Sequence, residues 1–448
     1  MTNEWEERMS AEQLRCLVTG ATGYIGGRLV PRLLESGFAV RALARNPDKL
    51  ANVPWRNRIE VARGDLGDPA SLDAAFEGTD VVYYLVHSMG FEKDFAAEER
   101  RAALNVVNAA RKAGVQRIVY LSGLHPEGAE LSVHLGSRTT VGQILIGSGI
   151  ETIVLQAGVV VGSGSASFEM VRHLTDRLPV MTTPKWVHNK IQPIAIRDVL
   201  HYLVASATRP VPVSREWDIG GPDVLEYGEM MQGYAEVAGL RPRRILVLPV
   251  LTPRIASLWV GFVTPIPAGL ARPLVESLHC DAVMSNHDID TIIPPPEGGL
   301  TPYKRSVELA LARIARGDVE TTWNTGTAGL APSDPEWAGE VVYTDTRTLH
   351  TSASPEKLWK AVESSLPDHW RVEEREPDLL KLHSSRRGPG DRWLEMRVTP
   401  EGGGSRYEQR AIFYPRGLLG RVYWYAARPL EAAMLDRRVK KVTGSVGG

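Results

Sequence analysis

The 448-residue sequence predicts an α/β protein that begins with a doubly wound parallel sheet and ends with a separate α+β domain. Three observations predict this class. Short β-branched runs alternate with amphipathic helical segments from Leu14 to about Gly164. A glycine-rich stretch directly follows the first of these runs. Finally, a segment rich in Thr, Gly, Ala, Pro and Ser at residues 317–337 separates two regions of different character.

The composition argues against several other classes of protein. Apolar residues make up 43% of the chain and charged residues 23%, which is typical of a soluble globular protein. The formal net charge of −1 argues against nucleic acid as a partner, because nucleic-acid-binding domains usually carry a basic surplus. The two cysteines, Cys16 and Cys280, exclude a disulfide framework and fit a reducing compartment. The charged amino terminus lacks a signal-peptide pattern, so we expect a cytoplasmic protein.

One uncharged stretch, at residues 255–271, raises the question of a membrane. It is slightly too short to span a bilayer comfortably, and it contains Pro265 and Pro267. We therefore expect a buried or interfacial segment and no transmembrane helix, with peripheral membrane contact as the alternative.

The strands and helices of the first region follow from its hydrophobic pattern. Amphipathic segments, such as residues 26–36 and 98–113, lie between the apolar runs. Such alternation builds a parallel sheet that is covered by helices on both faces. The predicted strands are residues 16–20, 39–44, 81–86, 117–123 and 151–162.

The rest of the chain divides into three parts. The first domain begins with the parallel-sheet core at residues 14–165. Residues 166–316 complete it and provide its last strands and a substrate-side subdomain. The linker at residues 317–337 follows. Residues 338–442 then form the α+β domain, in which Ser354 and Pro355 begin a helix. Its other predicted elements are a strand at 340–350, the alternating segments RVEERE, WLEMRVTP and SRYEQRAIFYP, and an aromatic helix at 418–441.

The glycine-rich stretch VTGATGYIGG, at residues 18–27, predicts a dinucleotide-binding loop. It follows a strand and opens a helix, and this context distinguishes it from an isolated glycine pattern. Gly20, Gly23 and Gly26 would let backbone amides approach a pyrophosphate at the positive end of the helix dipole. The alternative is a plain tight turn between strand and helix.

The end of the second strand predicts which nicotinamide cofactor is preferred. An acidic residue at this position would hold a ribose hydroxyl, whereas an arginine favours a 2′-phosphate. Here the chain has Ala44, Arg45 and Asn46, followed by Asp48 and Lys49. The prediction is therefore NADP(H), with NAD(H) still possible. Arg45 could instead be a solvated surface cation.

At these residues the chain resembles the extended and atypical branches of the short-chain dehydrogenase/reductase superfamily, which have a Rossmann fold. The resemblance covers residues 14–315 and rests on TGATGYIG, GDLGD and AARKAGVQRIVYLSG. The segments YYLVHSM, GSGSASFEM, RLPVMTTPKWV and QPIAIRDVL are similar to a bacterial subgroup of NmrA-like, NAD(P)-binding proteins. The predicted cofactor contacts are Gly20, Thr22, Gly23, Tyr24, Ile25, Gly26, Arg45, Asp65, Leu66, Leu85, Arg138, Gly158 and Val159.

The carboxyl-terminal domain resembles the small domain of unknown function that accompanies this subgroup. The segment RAIFYPRGLLGRVYWYAARPLE is the most specific part of the match. By pattern, the domain is similar to START/Bet v 1-like helix-grip folds. That resemblance implies an apolar cavity between a sheet and a long helix, and hydrophobic ligands such as lipids or polyketides.

The superfamily's usual catalytic pair, Tyr-x-x-x-Lys, is missing from this sequence. The corresponding helix carries His134 and Arg138, and the equivalent of the family's serine is Ser122. A spacing of four places His134 and Arg138 on one helical face, and a histidine can exchange a proton near neutral pH. The pair could therefore be catalytic, or it could be structural and cofactor-holding.

Other residues compete for the proton-transfer role. His87 follows a predicted strand whose end faces the cofactor crevice, whereas His125 is a weaker candidate. Phe168 and Met170 could contact a hydrophobic ligand, or their glycine-rich loop could be merely flexible. No cysteine and histidine spacing indicates a metal site.

Three functions are compatible with this sequence. The first is an NADP(H)-dependent oxidoreductase acting on a small hydrophobic carbonyl, enone or quinone-like substrate. The second is a non-catalytic NADP(H)-binding sensor or structural protein, which the absent Tyr-x-x-x-Lys pair favours. The third is a module that binds lipid or another hydrophobic ligand under the control of the cofactor.

Overall fold

The computed structural model describes residues 13–51, 53–86, 95–126, 128, 131–247, 264, 274–316, 343–364, 366, 369–385, 388–415 and 417–444. The chain forms two compact units that are divided between Gly339 and Glu340. The predicted linker at residues 317–337 lies outside the described residues.

The first unit contains the predicted Rossmann sheet. Its seven strands have the order β3-β2-β1-β4-β5-β6-β11, and every neighbouring pair is parallel. The strands are β1 (Arg15–Thr19), β2 (Ala39–Ala44), β3 (Glu60–Arg63), β4 (Val81–Tyr84), β5 (Arg117–Gly123), β6 (Glu151–Ala157) and β11 (Arg215–Ile219). The strand order reverses between β1 and β4, and in such sheets ligands bind in the crevice at this point. The fold class predicted for this unit is therefore confirmed.

Helices cover both faces of this sheet because the central strands are apolar on both sides. The helices are α1 (Tyr24–Glu35), α2 (Asp73–Phe76), α3 (Phe95–Ala113), α4 (Val133–Ile146), α5 (Ala166–Arg177), α6 (Ile196–Ala205), α7 (Tyr227–Val237) and α8 (Tyr303–Arg316). Helices α1 and α6 contribute Leu29, Leu33 and Leu203 to the core on one face. On the other face, α3 and α4 contribute Val106 and Leu145.

The predicted strand 151–162 is two strands in the structure. A Cβ on Gly158 would lie 2.0 Å from the carbonyl oxygen of Gln192, so only glycine permits this close approach of the two backbones. After β6, residues Val160–Val161 (β7) pair with Ile194–Ala195 (β10) instead. The other subdomain strands are β8 (Val180–Thr183), β9 (Lys190–Ile191), β12 (Leu225–Glu226) and β13 (Arg244–Val247).

The second unit is an antiparallel sheet of five strands with a long carboxyl-terminal helix. The sheet order is β14-β18-β17-β16-β15. Its elements are β14 (Tyr343–Thr351), α9 (Pro355–Ser364), β15 (Trp370–Arg375), β16 (Leu379–Ser384), β17 (Gly390–Glu401), β18 (Gly404–Pro415) and α10 (Gly417–Gly444). The sequence reading missed β16, because its buried residues do not alternate with exposed ones and include Lys381, which is only 4% exposed.

In the part of the chain that the structure describes, no helix is long and apolar enough to cross a membrane. The uncharged stretch at 255–271 lies outside the described residues except for Thr264.

Candidate cofactor and substrate site

The glycine loop between β1 and α1 is built for close backbone approach. Gly20 has φ +74°, which favours glycine, and a Cβ there would lie 2.8 Å from the carbonyl oxygen of Leu85. A Cβ on Gly26 would lie only 2.3 Å from the Gly20 carbonyl oxygen. Helix α1 therefore packs against the loop at a distance that only glycine permits.

The amino end of α1 suits a pyrophosphate. Its N-cap is Gly23, and no side chain caps the first turn. Unsatisfied backbone amides at this end, together with the helix dipole, form an anion site. Thr19, at the end of β1, accepts a hydrogen bond from the Leu85 amide at 3.1 Å and so joins the ends of β1 and β4. This cradle fits the pyrophosphate of a dinucleotide.

Cations gather at the ends of β2 and β3. Arg45 follows Ala44, which pairs in the sheet with Arg63, and Lys49 lies four residues beyond Arg45. All three cations are exposed, and none forms an ion pair with a described residue. Sequence reading identified Arg45 and Lys49 but not Arg63, whose position depends on sheet register.

The predicted adenine-side residues follow β3 and take part in local structure. The carboxylate of Asp65 accepts a hydrogen bond from the amide of Gly67 at 2.9 Å. Leu66 is buried in the core below α3, and its carbonyl accepts a hydrogen bond from the Asn105 side chain at 2.8 Å. Their contact with adenine stays a prediction.

A cavity of about 330 Å³ lies at the carboxyl ends of the central strands. It brings together predicted residues that are far apart in sequence, and its volume falls in the range of small-molecule sites. The predicted site residues that line it are Tyr24, Ile25, Leu85, Ser122, His134, Arg138, Gly158 and Val159. Met170 also lines it, whereas Phe168 packs in the core against Tyr234.

His134 and Arg138 both face this cavity from α4. Ser132 caps the helix, with its hydroxyl accepting a hydrogen bond from the Leu135 amide at 3.2 Å. The His134 ring stacks on Phe95 with 5.2 Å between ring centroids. Arg138 donates a hydrogen bond from Nη2 to the Leu121 carbonyl at 2.6 Å, which ties α4 to the end of β5. Arg138 thus has a structural contact as well as a position in the cavity.

Of the other candidates, Ser122 lies in the cavity wall and His125 does not. Ser122 is 4% exposed, at the end of β5. The His125 Nε2 instead lies 3.1 Å from the Thr139 hydroxyl and 3.3 Å from the Gln156 amide nitrogen, which directs that atom toward α4 and β6. His87 lies outside the described residues.

The loop at residues 158–165 is held firmly beside the cavity. Arg28 of α1 donates from Nη2 to the Ser163 carbonyl at 2.9 Å. Glu169 is completely buried, accepts a hydrogen bond from the Gly164 amide at 2.9 Å and forms an ion pair with Arg172 at 2.6 Å. Sequence reading missed Arg28 and Glu169, because nothing in their local pattern indicates these long-range contacts.

Among the described residues, no group of histidine, cysteine and carboxylate side chains could hold a metal ion. The only charged side chain among the described lining residues is Arg138, and the wall is mainly apolar. The site therefore suits a dinucleotide next to a largely apolar molecule.

Comparison with known proteins agrees with this class of site. Residues 20–147 match a family model described as NAD(P)H-binding, and residues 367–435 match one described as a protein of unknown function (DUF2867). A ceramide reductase from Caulobacter vibrioides is 27% identical over 302 residues, which cover 65% of this chain and 92% of that protein. A (4-alkanoyl-5-oxo-2,5-dihydrofuran-3-yl)methyl phosphate reductase from Streptomyces griseus is 32% identical over 247 residues, or 54% of this chain and 79% of that protein.

The fold has solved counterparts as well. The structure of an NADPH-dependent quinone oxidoreductase from Escherichia coli, complexed with NADPH, superposes with a TM-score of 0.52 at 22% identity, covering 65% of this chain and 98% of that one. Fold and site together define an NAD(P)H-binding Rossmann protein. The chain belongs to the atypical, NmrA-like short-chain dehydrogenases/reductases and carries a carboxyl-terminal domain of unknown function.

Proposed function

We propose that this protein is an NADP(H)-dependent reductase whose substrate is a small hydrophobic carbonyl, enone or quinone-like molecule. The observation that carries the proposal is the mainly apolar cavity, which joins the glycine loop to Ser122, His134 and Arg138. The bound cofactor would supply a hydride. The protein's own residues would orient the substrate, exclude water and exchange the proton.

The residues of the glycine loop would bind the pyrophosphate, and Arg45 would bind the 2′-phosphate. The three cations at the ends of β2 and β3, Arg45, Lys49 and Arg63, support a preference for NADP(H) over NAD(H) because no described carboxylate forms an ion pair with them. Arginine binds phosphate through charge-assisted hydrogen bonds.

Replacing Arg45 with glutamate is expected to lower the affinity for NADPH by at least about tenfold, because one charge-assisted hydrogen bond contributes roughly 1.5–3 kcal/mol. The affinity for NADH should change little. Titration of each cofactor by calorimetry measures both values. Arg58→Glu is the matched control, since Arg58 is also exposed but precedes the amino end of β3, whereas Arg45 follows the carboxyl end of β2. Equal losses for both cofactors would contradict the assignment of Arg45.

His134 is the proposed proton donor to the reduced substrate. It faces the cavity from the first turn of α4, and its stacking on Phe95 fixes the ring. Arg138 would keep its charge and bind ribose or substrate oxygen while holding α4 to β5. Ser122 would donate a hydrogen bond to the developing oxyanion.

Replacing His134 with glutamine is expected to lower kcat by about 100-fold, at the lower end of what a positioned general acid contributes. The dissociation constant of NADPH should stay unchanged, because the proposed role concerns the proton. Steady-state kinetics and cofactor titration separate the two effects. Val133→Ala, at an exposed neighbouring position, is the control. An unchanged kcat would exclude His134 from catalysis.

The reductase proposal itself is tested by NADPH oxidation. The purified protein is incubated with NADPH and a panel of quinones, enones, ketones and triphenylmethane dyes, and the absorbance of NADPH is followed. Turnover with at least one member is expected. Tight NADPH binding without turnover of any member would favour the second candidate, a non-catalytic cofactor-binding protein. The absent Tyr-x-x-x-Lys pair and the contact from Arg138 to Leu121 favour that alternative.

The carboxyl-terminal unit supports a further part of the proposal, a helix-grip-like domain that binds a hydrophobic ligand. Its long helix α10 packs against β18 and β14 and closes a core that contains Leu394, Tyr407 and Leu435. We propose a cytoplasmic location. Peripheral membrane contact is the alternative, and recovery of the protein with floated liposomes at physiological salt would support it.

A further inference from the structure

A second cavity lies inside the carboxyl-terminal unit, which does not contain the candidate cofactor site. It occupies about 160 Å³ between the sheet and α10. The residues that line it on the sheet side include Arg392, Leu394, Ala411 and Phe413. No part of the proposed reductase chemistry uses this cavity.

The volume matches a single ring. An engineered protein cavity of about 150 Å³ holds one benzene molecule. A cavity of about 160 Å³ can therefore accept one six-membered ring.

The walls favour an aromatic ring. Phe413 and Trp424 stack with 5.6 Å between ring centroids and 9° between their planes, and Trp370 and Trp393 also line the cavity. Aromatic side chains prefer offset or edge-to-face contact with another ring, and each such pair adds to the energy of burial.

The charged groups in the lining leave one positive charge without an anion. Arg392 forms an ion pair with Glu431 at 3.1 Å and also contacts the Tyr423 hydroxyl, so its charge is compensated. Arg438 is half-buried at the helix side, and no carboxylate among the described residues pairs with it. The nearby Tyr407 phenol donates a hydrogen bond to Gln409 at 3.0 Å and, because burial raises its pKa, carries no negative charge at pH 7. Burial lowers the pKa of Arg438. A cation in this position is stabilised by a bound anion.

We infer that the carboxyl-terminal unit binds a single-ring aromatic carboxylate, with the ring against Leu394 and the exposed edge of the stacked Phe413–Trp424 pair and the carboxylate on Arg438. This inference rests on the ligand-binding role proposed above for the carboxyl-terminal unit, and it is independent of the proposed reductase activity because it depends only on residues of the second unit. The ligand class combines the two properties of the cavity, an apolar volume of one ring and one uncompensated cation.

The inference is tested by calorimetric titration of the full-length protein with benzoate and benzamide, which have the same shape but differ in charge. Benzoate should bind saturably and at least about tenfold more tightly than benzamide, because a charge-assisted hydrogen bond contributes roughly 1.5–3 kcal/mol. 2-Naphthoate, with two fused rings, should bind more weakly than benzoate. This ligand series needs no variant and so does not depend on whether a substituted protein folds.

The variant Arg438→Gln should lower the affinity for benzoate by about tenfold and leave that for benzamide unchanged. Arg437→Gln, at the exposed neighbouring position, should retain wild-type binding of benzoate. The inference is overturned if benzoate does not saturate, if benzamide or 2-naphthoate binds as tightly as benzoate, or if Arg438→Gln binds benzoate unchanged. Cofactor titration of the same variants should give wild-type NADPH affinity whether or not the reductase proposal holds.

Discussion

Replacing Gly26 with alanine is expected to lower the affinity for NADPH by about 1000-fold, or roughly 4 kcal/mol, because the first turn of α1 would no longer present its amides to the pyrophosphate. The added Cβ would lie 2.3 Å from the Gly20 carbonyl oxygen and 2.8 Å from the carbonyl carbon of the same residue. Real Cβ atoms do not approach so closely, so the helix or the loop has to move. Both contacts are with backbone, which cannot rotate away as a side chain could.

Cofactor titration by calorimetry measures this loss, and circular dichroism establishes that the variant is folded. Gly136→Ala is the matched control. Gly136 lies in α4 with nothing within 4 Å of its added Cβ, so alanine should stabilise the helix and leave NADPH binding intact. Wild-type affinity in a folded Gly26→Ala protein would show that the cofactor does not use this loop.

Replacing Glu169 with alanine is expected to lower the free energy of unfolding of the first unit by roughly 4 kcal/mol, because it removes the ion-pair partner of a buried arginine. Arg172 is 4% exposed and forms an ion pair with Glu169 at 2.6 Å. Burial raises the pKa of Asp176, and its carboxylate already accepts a hydrogen bond from the Tyr234 hydroxyl at 3.0 Å. The Gly164 amide also loses its acceptor, so the loop beside the cavity should loosen.

Urea denaturation followed by tryptophan fluorescence measures the change in the free energy of unfolding. Glu308→Ala is the control, because Glu308 and Arg305 form an ion pair with the same separation of three residues on an exposed helix face. That substitution should change stability by less than about 0.5 kcal/mol. Equal effects of the two substitutions would mean that burial of Glu169 contributes nothing.

Much of the fold could be predicted from the hydrophobic pattern of neighbouring residues in the sequence. The strand–helix alternation predicted the doubly wound sheet, and the strand at 117–123 has the predicted bounds. Strand β16 was missed, since a lysine in a buried position conceals it: Lys381 lies 3.8 Å from the carboxylate of Glu374, and only the neighbouring strand provides that partner. Sequence periodicity does not record such cross-strand compensation.

The candidate site, like the fold, combines residues that the sequence indicates with contacts that only tertiary packing specifies. The sequence by itself indicated the glycine loop and Arg45, because each is a local pattern at a strand end. The family resemblance indicated Ser122 and the replacement of Tyr-x-x-x-Lys by His134 and Arg138.

Only the tertiary structure decided which of these residues share a cavity, which others hold the cavity in shape, and that Arg438 has no carboxylate partner among the described residues. The bond from Arg28 to Ser163 joins residues that are 135 positions apart. Contacts of this kind arise when distant elements pack together, and no local pattern specifies the partner.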